Sequence, residues 1–163
     1  MTNNIYLLLG GNLGDVQSIF SQCKMLIEKE IGSILHSSKL YQSEPWGFKS
    51  SNLFLNQVLH VSTSKTAFET LAITQNIELK LGRTRNPNAS GFQSRVIDID
   101  LLYVNNEVIE TEVLKIPHYA LHERMFTLKP LAEIAPNFEH PIYKESNTAL
   151  LEKCQDKSEV TSI

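Results

Sequence analysis

The sequence predicts an α+β domain, and three observations carry that expectation. Four short segments rich in Val, Ile, Leu, Phe and Tyr are bounded by turn-forming residues. Two longer segments between them place apolar residues at helical spacing. The elements run β-α-β-β-α-β and are followed by an irregular tail. That order is the split βαβ, or ferredoxin-like, arrangement: an antiparallel sheet with helices on one face, here with additional C-terminal elements. The other sheet face is left for a ligand or for the tail.

"NIYLLLGG" reads as a buried strand ending in glycines. "DVQSIFSQCKMLIEKEIG" follows as a helix, with Ile19, Phe20, Cys23, Leu26 and Ile27 on its apolar stripe and Gly32 as its stop. "SILHSSKLYQSEP" and "LFLNQVLHVSTS" read as two strands around a loop holding Pro45, Trp46 and Gly47. "KTAFETLAITQNIELKLG" is a second helix closed by Gly82, its apolar stripe formed by Phe68, Leu71, Ala72 and Leu79 with Gln75 in the middle and Glu78 at the edge. "RTRNPNASGFQS" is a turn-rich loop and "RVIDIDLLYV" the fourth strand, with a hairpin turn expected at Asn105 and Asn106. "MFTLKPLAEIA" is a short helix with Pro130 near its start or at a kink. "GGNLGD" lacks the Lys-Ser/Thr of a phosphate loop and is read as a tight strand-to-helix turn.

The 163 residues fit one domain, 1–163, with 137–163 unassigned. Hydrophobic residues make up 42% and charged residues 20%, and no apolar run reaches the ~18 residues of a membrane span. No signal peptide is read at the N-terminus, so the protein is expected in the cytoplasm, with no membrane partner. Cys23 and Cys154 carry no metal spacing, and a structural disulfide is not expected in a reducing compartment. A net charge of −3 argues against nonspecific nucleic-acid binding. Arginine is concentrated: of Arg83, Arg85, Arg95 and Arg124, three fall within thirteen residues. The arginine fork matches phosphate oxygens.

Two aspartates interrupt the fourth strand. Side chains at i and i+2 share a face, so Asp98 and Asp100 point the same way, roughly 6–7 Å apart, while Ile97, Ile99 and Leu101 take the other face. Read alone, the pair fits either ordinary salt bridges on an exposed face or a magnesium site completed by phosphate oxygens and water. Two unpaired carboxylates would repel, so replacing either by alanine is expected to stabilise the metal-free protein slightly. The arginines and the adjacent loop favour a nucleotide polyphosphate with its metal. Phe54 and Asn56 share a face on the third strand, which suits a flat heterocycle, although taken alone the pair reads more readily as a core phenylalanine beside a satisfied amide.

Six marks in register, "LGGNLGD", "YQSEPWGF", "FLNQVL", "QNIELKLGRTR", "RVIDIDLLY" and "IPHYALHERMFTLKPLAEIAP", resemble the 6-hydroxymethyl-7,8-dihydropterin pyrophosphokinase family over about residues 5 to 136. The resemblance implies a magnesium-dependent enzyme, a monomer, that moves the terminal diphosphate of ATP to the pterin's hydroxymethyl group in folate biosynthesis and releases AMP. It implies that Asp98 and Asp100 hold two magnesium ions and that Arg83 and Arg95 join them in catalysis. It places Gln75, Glu78, Arg83, Arg85, Arg95, Leu101, Lys115, His118, Tyr119 and Arg124 around ATP. It places Ser43, Glu44, Trp46, Phe54, Asn56, Phe92, Asp98 and Phe126 around the pterin, with Phe54 and Phe126 sandwiching the ring.

The chain departs from the family pattern in the loop. Arg85 to Arg95 is two residues longer than in the familiar form, Phe92 stands where a Trp is common, and "QSR" replaces "GPR". Ser43 replaces a Thr, Trp46 a smaller apolar residue, and Lys115 a small hydroxyl residue. The stretch 82–94 is expected to be displaced in the free protein and to close over both ligands, with Phe92 as a lid. Rival readings are a two-metal nucleotidyltransferase or cyclase, which would release pyrophosphate, and a non-catalytic ligand sensor. An RNA-recognition module would need exposed basic and aromatic residues in a pattern the chain lacks.

Overall fold

The computed structural model describes residues 1–45, 52–84 and 94–163. Strand β1 (Asn3–Gly11) lies inside a six-stranded sheet. It pairs antiparallel with β4 (Phe54–Thr63) on one side and β5 (Asp98–Val104) on the other, so Leu7 faces both Leu59 and Leu101. On the far edge of β4 lie β2 (Gly32–Ser37) and β3 (Tyr41–Ser43), and a C-terminal strand β8 (Val160–Ser162) extends the sheet beyond β3.

Alternation along the strands sorts the core into two layers. Ile5, Leu7, Leu9, Leu59, Val61, Ile99 and Leu101 pack against helix α1 (Val16–Glu30) through Phe20, Cys23 and Ile27, and against helix α2 (Ala67–Lys80) through Ile77. Tyr6, Leu8, Val58, Leu102 and Tyr103 face the opposite way, onto Leu128 and Leu131 of helix α3 (Met125–Ile134) and Leu150 of helix α4 (Asn147–Lys153). A bulge between Tyr6 and Leu7 turns both Leu102 and Tyr103 to this second layer. Helices therefore cover both faces, not one. The tail supplies α4 and β8 and covers the face the sequence left open.

Several local expectations change. The segment 33–45 is two strands, because Ser38 breaks the ladder: its Oγ accepts the Val58 N–H at 3.0 Å and its carbonyl accepts Gln57 Nε2 at 2.7 Å. Gly32 opens β2; a Cβ there would meet the Ser62 carbonyl oxygen at 2.1 Å, so the residue is needed for close strand approach. The turn at Asn105 and Asn106 forms, with Asn105 at φ 48°, but no hairpin with β5 follows. Instead β6 (Ile109–Glu110) pairs with β7 (Lys115–Ile116) in a separate small sheet. Pro130 sits in the middle of α3.

The buried face of α2 is also different. Ala67, Thr70, Thr74, Ile77 and Glu78 are buried, whereas Phe68, Ala72, Gln75 and Leu79 are exposed. The two threonines satisfy their hydroxyls on helix carbonyls, Thr70 on Thr66 at 2.8 Å and Thr74 on Leu71 at 2.9 Å, and so enter the core without a partner elsewhere.

Candidate active site

Strand β5 carries the carboxylates on the face turned away from α1 and α2. Asp98 is held by two arginines: Oδ1 accepts from Arg83 at 2.6 Å and Oδ2 from Arg95 at 3.0 Å. Arg83 also meets Glu78 at 3.0 Å, and the same Glu78 oxygen accepts the Ile99 N–H at 2.7 Å. Glu78 thus ties α2, β5 and Arg83 together from a buried position. Burial, and then Asp98, push its carboxyl up, to about 7.

Asp100 is in a different state. Among the described residues no lysine or arginine lies within ion-pair distance, and the nearest cationic candidate is His118, whose Nε2 is 4.0 Å from Oδ2. Burial and the Asp98 charge raise the Asp100 carboxyl well above the usual carboxylate range, and Arg124 only partly opposes them. Burial, with Arg124, lowers His118 to about 4, so it is a neutral imidazole at pH 7 and does not neutralise Asp100. A hard oxygen donor that burial disfavours as an anion, still 27% open to solvent, is suited to a divalent cation of the magnesium type.

Two cavities meet at Asp100. The first is lined by Leu8, Gly10, Ser43, Phe54, Asn56 and Phe126 beside Arg95, Asp98, Asp100 and Arg124. Its chemistry is two aromatic rings, an amide and a hydroxyl. Asn56 Nδ2 donates to the Leu9 carbonyl at 3.2 Å, which fixes the amide in the wall. Gly10 makes room for it, since a Cβ there would come within 2.9 Å of that nitrogen. Ser43 Oγ is buried and has no hydrogen-bond partner among the described residues. The second cavity runs along the outer edge of β5, between Leu71 of α2 and Leu114, Lys115, His118 and Tyr119, with Asp100 and Leu101 at its floor.

The structure brings Arg83, Arg95, Asp98 and Asp100 together, and gathers Ser43, Phe54, Asn56 and Phe126 in the first cavity. Leu101, Lys115, His118 and Tyr119 line the second. Arg124, expected near the nucleotide, lines the first cavity, its guanidinium 5.6 Å from the Phe126 ring and 5.9 Å from the Tyr119 ring. Glu44 is exposed beside β8, and Gln75 projects from the exposed face of α2; neither lines these two cavities. Trp46, Arg85 and Phe92, and most of the stretch 82–94 with its expected closure, lie outside the described residues.

Asn12 is among the residues that escaped the sequence reading. Asn12 is 4% exposed; its Oδ1 accepts the Arg95 N–H at 2.8 Å, its Nδ2 reaches Ser94 Oγ at 3.0 Å, and its own N–H donates to the Arg95 carbonyl at 2.9 Å. It fixes the approach to β5 that carries Arg95. The only signal was an amide between glycines in "GGNLGD", which also fits a simple turn.

Comparison with known proteins gives the chain's family. The family model described as 7,8-dihydro-6-hydroxymethylpterin-pyrophosphokinase (HPPK) matches residues 6–136. A 2-amino-4-hydroxy-6-hydroxymethyldihydropteridine pyrophosphokinase of Bacillus subtilis is 38% identical over 150 residues, covering 91% of this chain and 86% of its own. One of the same name from Aquifex aeolicus is 40% identical over 141 residues, 86% of each chain. The fold is similar to that of Plasmodium falciparum HPPK-DHPS with pteroate, at a TM-score of 0.78 and 16% identity over 94% of this chain and 44% of that one. The chain therefore belongs to the 7,8-dihydro-6-hydroxymethylpterin-pyrophosphokinase family.

Proposed function

We propose that the protein transfers diphosphate from ATP to 6-hydroxymethyl-7,8-dihydropterin in folate biosynthesis, giving AMP and the pterin diphosphate. The observation that carries this reading is the meeting of two cavities at Asp100, one lined by two aromatic rings, an amide and a hydroxyl and the other an open groove along β5. The family relationship supports it independently. The sheet path β5-β1-β4, with β2 on the far side of β4, supports a ferredoxin-like reading of the core. Two buried free cysteines, Cys23 and Cys154, are in keeping with a reducing, cytoplasmic setting.

In the first cavity Phe54 and Phe126 stack on the pterin, and Asn56 and the Ser43 hydroxyl read its edge. In the second, Leu71, Leu101 and Leu114 receive the base and His118, Tyr119 and Lys115 the ribose and phosphates. Asp98 and Asp100 would hold magnesium, which would supply neutralisation of phosphate charge as the pterin hydroxyl attacks the β-phosphorus and AMP leaves. Arg83 and Arg95 turn from Asp98 toward the phosphates as the site fills. Their forks then stabilise charge that develops during transfer, while Glu78 retains the Ile99 N–H and keeps β5 in register. Incubation with ATP, magnesium and the hydroxymethyl dihydropterin should yield AMP and a pterin diphosphate in equal amounts. Release of pyrophosphate would instead assign a nucleotidyl transfer.

A further inference from the structure

The first cavity has two walls from different parts of the chain, and the tail joins them. One wall is Ser43 on β3 with Phe54 and Asn56 on β4; the other is Arg124 and Phe126 at the start of α3. The first turn of any helix has N–H groups without helical partners. In α3 the N-cap residue, Arg124, makes no side-chain cap bond. The Met125 N–H donates instead to Asp156 Oδ2 at 2.9 Å, from 31 residues along the chain. Asp156 is itself held by the Ser158 N–H at 2.9 Å and by the Ser158 hydroxyl. Two residues further on, the Val160 carbonyl accepts Lys129 Nζ of α3 at 2.7 Å, and Val160 pairs directly with Ser43 in the β3–β8 ladder. From the other side, Tyr41 Oη of β3 donates to Glu133 of α3 at 2.7 Å.

We propose that Asp156 is a positioning residue for the pterin site: it caps the α3 N-terminus from the tail and so sets where Arg124 and Phe126 stand against Ser43 and Phe54. The inference rests on the reading of the first cavity as the pterin site. A carboxylate at a helix N-terminus is favoured both by the hydrogen bond and by the helix dipole. Without it the first turn is free to fray, and Phe126 is the second residue of that turn. Asp156 lies beyond the residues 6–136 that the family model matches, and it lines neither of the two cavities.

The test compares Asp156→Ala, Asp156→Asn and Phe126→Ala, reading pterin affinity by calorimetry, ATP-analogue affinity separately, and KM for each substrate. Asp156→Ala should weaken pterin binding about five- to twentyfold and raise pterin KM to match, while ATP-analogue affinity changes by no more than about twofold. Asp156→Asn, which keeps an acceptor for the Met125 N–H, should recover most of that loss. Phe126→Ala tests the site itself: unchanged pterin affinity there would refute the cavity assignment. Loss in Phe126→Ala with none in Asp156→Ala would overturn the positioning role alone. Equal losses for both ligands, or an asparagine variant no better than alanine, would overturn it too. Should Asp156→Ala not fold, Lys129→Met removes the second tie to Val160 and is read in the same way: a pterin-selective loss supports the inference, and an unchanged affinity refutes it.

Discussion

Asp98 and Asp100 are two positions apart on one strand face, yet their replacement should shift stability in opposite directions. Asp98 neutralises Arg83 and Arg95, so Asp98→Ala leaves Arg83 and Glu78 with an incomplete network. In the metal-free protein it should cost about 1–3 kcal/mol in urea denaturation, the reverse of the small gain expected from repulsion alone. Among the described residues Asp100 has no such arginine within ion-pair distance, and its raised carboxyl means that the folded state disfavours its charge. Asp100→Asn should therefore raise the thermal midpoint at pH 8 by about 2–5 °C. The sign follows from linkage: the penalty grows as pH rises above the ordinary Asp value of 3.8, so the gain should vanish as pH falls toward that value. Turnover should be lost in both variants. The pair itself was legible in the sequence because period-two spacing fixes a shared face. Which arginine serves which acid was not, because Arg83 arrives from the end of another element. Asn12 was illegible for a similar reason, since its partners are Arg95, Ser94 and Asn52, far along the chain.

Among the elements, β1, α1, β4 and β5 were legible because their apolar periods agree with their burial. The misread face of α2 and the broken second strand share one cause: side-chain hydroxyls that bond to nearby backbone can replace apolar groups or ladder bonds. Thr70 and Thr74 do this within a helix, and Ser38 does it between β2 and β3. Ser38→Ala would leave the buried Val58 N–H without its 3.0 Å acceptor. It should destabilise the protein by about 1–3 kcal/mol in urea denaturation, with both KM values unchanged.

Over the whole molecule, the tail was the least legible part, because residues 137–163 have no sustained period and contribute single anchors. Phe138 packs on Tyr103 at 4.4 Å between ring centroids, and Asn147 accepts Tyr103 Oη at 2.8 Å and donates to the Ala135 carbonyl at 2.8 Å. His140 is 2% exposed, and its Nδ1 accepts the N–H groups of Ile142 and Tyr143. Burial, and then His122, hold it down to about 4 from an ordinary 6.5. The unfolded chain thus takes up this proton at a higher pH than the folded one. Its contribution is complete above pH 6.5 and is lost as pH falls toward 4, on the order of 2–3 kcal/mol. His140→Asn, which offers the same N–H groups an uncharged acceptor, should flatten thermal stability against pH across that window. An unaltered slope would place the acid sensitivity elsewhere.

The single carboxylate common to both cavities makes them energetically answerable to each other. A cation settling at Asp100 with a nucleotide would change the charge seen from the first cavity, and a pterin seated there would change the solvation seen by the cation. Thermodynamic reciprocity then allows no one-way help: whatever factor the filled groove lends to pterin affinity, the pterin must return to nucleotide affinity. Two ligands that met at this one carboxylate would therefore show cooperativity between unlike partners as a property of the architecture.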